Sequence, residues 1–151
     1  MTVRRASRRD AAVLAALLVA FNTEFETWVP PLAVLEPRFA ALLERADVIV
    51  LLAADDEVTG FALTTLRPSP YYDGPVAALD ELYVVPARRG HGIGTELMDA
   101  LVDELRGRAC GEIQINVDGE DHDTRRFYEA RGFVNQEPGS DEPMLCYLQE
   151  L

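Results

Sequence analysis

Apolar positions in the first part of the chain recur at helical spacing. Over residues 7–25 (SRRDAAVLAALLVAFNTEF), Val13, Leu14, Leu17, Leu18 and Phe21 fall on one face, which predicts an amphipathic helix packed on a core. Ser7, with Asp10 three residues on, has the spacing of a capping box at the start of that helix. TVRRA before it reads as a strand, and PRFAALLERA, after the break at WVPPL, as a second helix. The period then changes. DVIVLLAADDEVTGFALTTLRPS holds a nearly all-apolar strand, a DDE turn and a second strand ending near Pro68, the pattern of a hairpin. Beyond the loop YYDGP, VAALDELYVVP predicts another strand and GEIQINV a further one. DTRRFYEARG predicts a helix, and FVNQE and PMLCYLQEL two last strands. Between VAALDELYVVP and GEIQINV lies PARRGHGIGTELMDALVDEL, where Ile93, Leu97, Leu101 and Leu105 recur every four residues and mark the buried face of a helix.

Alternating elements without a linker or repeat predict one mixed α/β domain over residues 1–151. No apolar run is long enough to span a membrane, and the arginines of MTVRRASRRDAA precede no signal-peptide core, so a cytoplasmic protein without a membrane partner is expected. Cys110 and Cys146 are too few and too isolated for a disulfide framework or a zinc site, and read as reduced thiols. With 14 basic against 26 acidic residues the net charge is −12, a surface that repels nucleic acid and anionic lipid and favours a cationic partner.

Between the strand LYVVP and the helix, glycines at 90, 92 and 94 alternate with other residues behind Arg88 and Arg89. Glycine at this density marks a backbone that must approach something closely. A loop of small residues at a helix start aims free N–H groups at one spot, and the helix dipole adds partial positive charge there. That is an anion site, most naturally for phosphate. Arg88, Arg89 and His91 can reinforce it, arginine by bidentate bonds to phosphate oxygens. A P-loop is excluded because no lysine is present. A dinucleotide fingerprint is disfavoured because Leu97 stands where its last glycine belongs. The pattern Arg89-x-x-Gly92-x-Gly94, entered from a strand and left by a helix, resembles the acetyl-CoA pyrophosphate loop of the GCN5-related N-acetyltransferase (GNAT) superfamily. TRRFYEARGF is similar to the helix and strand that close the same family's acyl site, so the resemblance runs from about Leu79 to Phe133.

The resemblance implies a mixed central sheet flanked by helices, whose two parallel strands, here ELYVV and EIQINV, splay apart to admit the cofactor's pantetheine arm. It implies acetyl-CoA as co-substrate, with no metal. Leu82, Tyr83 and Val84 would bind the acyl and pantetheine groups through their backbone, and Arg89, Gly90, His91, Gly92, Ile93, Gly94 and Thr95 the pyrophosphate. Tyr128 matches the position whose phenol faces the cofactor sulfur and hydrogen-bonds the leaving thiolate; Phe127 beside it reads as core. Transfer to an amine also needs the amine neutral. Glu81 is the candidate base and Asp80 its rival; on an alternating strand the two point to opposite faces, so at most one meets the amine. Relatives also deprotonate through water, and Asn116 replaces a carboxylate at one alternative place. Asp121 stands where several relatives carry a cofactor-contacting asparagine, and can instead cap the last helix.

The acceptor pocket falls on FNTEFETWVPP and RPSPYYDGP, where Glu24, Glu26, Trp28, Tyr71 and Tyr72 can form an acidic, aromatic mouth for a cationic amine. Solvated glutamates and a Trp28 that only anchors a bend are the alternative. The run DGEDHD, with His122, reads as a solvated turn rather than a metal site. Three functions follow in order: acetyl transfer to the primary amine of a small cationic molecule by direct attack in a ternary complex, transfer to a protein or peptide, and non-catalytic acyl-CoA binding. The apolar MLCYL near the C-terminus offers an edge for a homodimer.

Overall fold

The computed structural model describes residues 1–151. Five strands form one sheet in chain order: β1 (Thr2–Arg5), β2 (Val48–Ala54), β3 (Val58–Arg67), β4 (Val76–Val84) and β5 (Glu112–Gln114). The first four pair antiparallel, and β5 joins β4 in parallel. The helices are α1 (Ala11–Glu24), α2 (Leu32–Leu42), α3 (Ile93–Gly107) and α4 (His122–Ala130). This is the mixed α/β arrangement that the alternating pattern predicts. Packing divides the chain into two compact units, Met1–Gln114 and Ile115–Leu151.

In the first unit the middle of the sheet, β2 and the adjoining part of β3, is buried from both sides. Val48, Val50, Leu52, Phe61 and Tyr83 pack with Leu14, Leu17, Leu35 and Phe39 of α1 and α2. The alternate residues Ile49, Leu51 and Ala53 face the side on which α3 lies; a side chain on Gly60, opposite Ala53, would come 3.4 Å from Leu97. Covered on both faces, β2 is a continuous apolar run instead of an alternating one. The helical spacing holds as well. Ile93, Leu97, Leu101 and Leu105 are all buried, and each such leucine contributes on the order of 2 kcal/mol by leaving water.

In the first unit three elements differ from the sequence expectation. α2 begins at Leu32, five residues before the expected start, and carries Pro37 in its interior. Pro31 supplies the backbone acceptor for Val34 and Leu35 there, so LAVLE is already helical when the proline arrives. Ser7 and Asp10 do cap, but over a 3₁₀ turn at Arg8–Asp10 that precedes α1. β5 is three residues long.

In the second unit, α4 is capped by Asp121, whose Oδ1 accepts from the Thr124 N–H at 3.1 Å. Tyr128 is buried, with Phe127 and Phe133 edge-on to its ring at 5.2 and 5.3 Å. The strands expected at FVNQE and PMLCYLQEL do not form. A Met144 N–H to Asn135 carbonyl bond of 2.6 Å brings the two segments together without a ladder. Pro143 removes a donor from the second segment, and Pro138 follows directly on the first. Met144, Leu145, Tyr147 and Leu148 are all exposed, so neither alternate face is buried to fix a register.

Candidate active site

β4 leads into the glycine loop, and its own pairing shows where a site can open. The ladder to β5 ends at the pair Ala78 and Gln114, whereas β4 continues to Val84. From Leu79 onward β4 pairs only with β3 on its other side. This free stretch of strand edge carries the peptide groups that the family resemblance assigns to the cofactor. They divide by direction. A side chain on Gly60 of β3 would come within 2.7 Å of the Tyr83 carbonyl, so that peptide faces β3, and those of Leu82 and Val84 face the open edge. The Tyr83 ring is core: it stacks on Phe21 at 4.8 Å and is 4% exposed.

Alternation along β4 is broken by a bulge. Leu63 faces Glu81 and Thr64 faces Leu79, which leaves Asp80 as the extra residue. Glu81 is thereby placed on the α1 side of the sheet with Leu63 and Tyr83. Thr65, two residues beyond Leu63 on the same face, donates its hydroxyl to Asp80 Oδ2 at 2.9 Å. The two carboxylates therefore share a face, contrary to the expectation that they would oppose each other. Glu81 is half-buried and Asp80 exposed. Burial, and then the Asp80 charge, push the Glu81 carboxyl up to about 7.

The same face carries a polar row nearer the start of β4. Arg67 donates to Gln114 Oε1 at 2.8 Å, and Gln114 Nε2 donates to Glu112 Oε1 at 2.7 Å. The Tyr72 hydroxyl donates to Glu112 Oε2 at 3.0 Å. The Gln114 and Tyr72 bonds hold Glu112 below the usual carboxylate range. Tyr72 is fixed from behind, since its ring lies so close to Gly111 that a Cβ there would meet ring carbon at 2.1 Å. Trp28 and Tyr71 are 81% and 88% exposed and stack on no other ring. Glu26, at φ 55°, holds a turn after α1.

The loop itself has the backbone that phosphate binding asks for. Gly90 and Gly92 take φ values of +75° and +81°, and a Cβ built on either meets no atom within 4 Å. The space over the loop is open, and any side chain there would project into it. Gly92 caps α3, so Gly92, Ile93, Gly94 and Thr95 present the N–H groups that have no partner within the helix. The residues present thus fit an acyl-CoA pyrophosphate, held by the backbone and the helix dipole.

The arginine side chains are arranged otherwise than expected. Arg89 donates through Nε to the Val84 carbonyl at 2.9 Å, and its two terminal nitrogens grip Glu24 at 2.5 and 2.7 Å. Its guanidinium lies 5.6 Å from the centre of the Tyr83 ring, on the α1 side. Arg88 pairs with Asp55 of the β2–β3 turn. His91 Nδ1 is 2.8 Å from the Arg89 carbonyl. Glu24, expected in the acceptor mouth, is bound to the glycine loop's own arginine. Those partners are 65 residues apart in sequence, and no local pattern connects them.

Comparison with known proteins agrees with this geometry. The model of the acetyltransferase (GNAT) family matches residues 14–133. An aminoglycoside N(6')-acetyltransferase type 1 of Stenotrophomonas maltophilia is 31% identical over 141 residues, 90% of this chain and 88% of that protein. The enzyme of the same name from Klebsiella aerogenes is 36% identical over 91 residues, and this chain spans 60% of its length. The crystal structure of a candidate acetyltransferase from Arthrobacter sp. FB24 superposes with a TM-score of 0.92 at 51% identity, covering 100% of this chain and 96% of that one. The chain belongs to the acetyltransferase (GNAT) family.

Proposed function

We propose that the chain transfers the acetyl group of acetyl-CoA to the primary amine of a small cationic molecule, by direct attack in a ternary complex, with Glu81 as general base. The observation that carries this reading is Glu81 itself. It is half-buried at a bulge on the strand that runs into the cofactor loop, beside a free strand edge, with its carboxyl pushed up to about 7. A base poised near neutrality is effective where a substrate ammonium must lose its proton.

Acetyl-CoA, when bound, supplies an activated thioester. The N–H groups of Gly92, Ile93, Gly94 and Thr95 would hold its phosphates, and the outward peptide groups of Leu82 and the N–H of Val84, whose carbonyl is taken by Arg89, would be the backbone partners for its arm. Glu81 accepts the amine proton at its carboxylate. By the family resemblance, Tyr128 is the proposed hydrogen-bond donor to the leaving sulfur. Burial, and then the Asp121 charge, raise its phenol pKa, so Oη stays protonated and available as a hydrogen-bond donor. Asp80 and Glu112 place negative charge along the same exposed face as Glu81, which favours a cationic acceptor. The names of the two bacterial relatives above support an amine-bearing small molecule.

The test is release of free thiol from acetyl-CoA across polyamines, aminoglycosides, amino acids and basic peptides, with products identified by mass. Turnover of small polycationic amines is expected. Preferential turnover of the peptides would replace this acceptor class with proteins, and tight CoA binding without turnover of any amine would make the chain a binding module.

A further inference from the structure

We infer that Glu24 is a positioning residue for the cofactor loop, acting through Arg89, and not a contact of the acceptor. The inference rests on the reading of the loop as the acetyl-CoA site. Arg89 opens the loop, and its side chain turns back instead of forward. One nitrogen ties it to the carbonyl of the last residue of β4, and the other two fork onto the last residue of α1. The Tyr83 ring lies beneath the guanidinium and is itself stacked on Phe21 of α1. Arg89 first, and then Tyr83, hold the Glu24 carboxyl below its ordinary range and so favour its charged form. The ends of a helix and a strand and the start of a loop thus meet at one planar cation. Lysine could not replace it, since its donors radiate from a single nitrogen and cannot reach the Val84 carbonyl and both Glu24 oxygens in one plane.

Position decides between two roles for this arginine. Its guanidinium lies over Tyr83 and reaches the Val84 carbonyl at the strand edge, with all three nitrogens engaged by Val84 and Glu24, whereas the free N–H groups belong to the first turn of α3, which packs on the opposite face of the sheet. An arginine held there shapes the loop and leaves the phosphate to the backbone. Glu24 then fixes the angle at which Gly90 and Gly92 enter α3. Its removal frees a long side chain and the loop behind it, and the ordering cost moves to the moment of cofactor binding.

A double-mutant cycle tests this. CoA affinity is measured by calorimetry for the parent, Glu24→Gln, Arg89→Ala and the double variant, with thermal melting to confirm folding and KM measured for each substrate. The expected result is that Glu24→Gln weakens CoA binding about tenfold, an ordering cost of one long side chain, and leaves the acceptor KM unchanged. The double variant should bind no more weakly than Arg89→Ala alone. Unchanged CoA affinity in Glu24→Gln, or a raised acceptor KM, would overturn the inference. So would tighter CoA binding, which would mean that Glu24 competes with phosphate for Arg89. Gly92→Val separates this inference from the loop assignment on which it rests. If that variant binds CoA like the parent, the cofactor site lies elsewhere, whatever Glu24 does.

Discussion

Asp10 shows how much one buried carboxylate can hold together near the N-terminus. It is 6% exposed, takes a fork from Arg4 at 2.7 and 2.9 Å, and accepts the Ser7 N–H at 2.7 Å. The Arg4 bonds, and then those from Ser7, hold its pKa at about 2, against an ordinary 3.8, in spite of burial. A depressed carboxylate pKa contributes stability that is complete above the unfolded value and is lost as pH falls through the folded one. The loss therefore runs from about pH 4 down to pH 2 and amounts to on the order of 2 kcal/mol. Asp10→Asn should unfold more easily by a similar amount at pH 7 in urea titration, with less of its remaining stability lost between pH 4 and 2. Equal denaturation midpoints at pH 7 would show that the fork contributes nothing. The capping spacing made the Ser7–Asp10 part of this legible in sequence. Arg4 was not legible, because its contact depends on where β1 lies beside the turn.

At the scale of elements, periodicity carried the long helices and β2 to β4, where one or both faces are buried. It failed where burial does not discriminate. FVNQE and PMLCYLQEL are expected as strands on their apolar residues, yet the side chains of Met144, Leu145, Tyr147 and Leu148 are all exposed. The bulge at Asp80 was hidden for another reason: it is a mismatch in length between β3 and β4, and no residue type in LDELYVV announces it. Its consequences reach across the sheet. Thr64 faces Leu79 at the bulge, is fully buried, and its hydroxyl has no hydrogen-bond partner. Thr64→Val removes a stranded polar group at nearly constant shape, so chemical denaturation should show a gain of about 1 kcal/mol. A loss of stability in that variant would mean that the hydroxyl is satisfied in solution.

Across the whole molecule, the backbone of the glycine loop was more legible in the sequence than the partners of the expected acceptor residues. Phosphate binding uses backbone N–H groups, which a run of glycines before an amphipathic helix declares, and Gly90, Gly92 and the first turn of α3 lie as the motif implies. Acceptor binding uses side chains from separate elements, and composition cannot say which of them meet. Of the expected mouth, Glu24 belongs with Arg89, Tyr72 with Glu112, and Trp28 and Tyr71 stand exposed. The net charge of −12 still favours a cation, and the carboxylates on the Glu81 face concentrate that preference where the proposed chemistry occurs.

The central claim is that Glu81 takes the proton from the amine, and the pH dependence of kcat/KM for the acceptor tests it most directly. In the parent the rate should rise with pH through about 7 as the Glu81 carboxyl ionises. Glu81→Gln keeps the shape and removes the base. It should lack that limb, run about 10²-fold slower near neutrality, and recover part of the loss as pH approaches the amine's own pKa of roughly 10. A profile for Glu81→Gln that overlies the parent's from pH 6 to 9 would contradict the account and remove Glu81 from the chemistry.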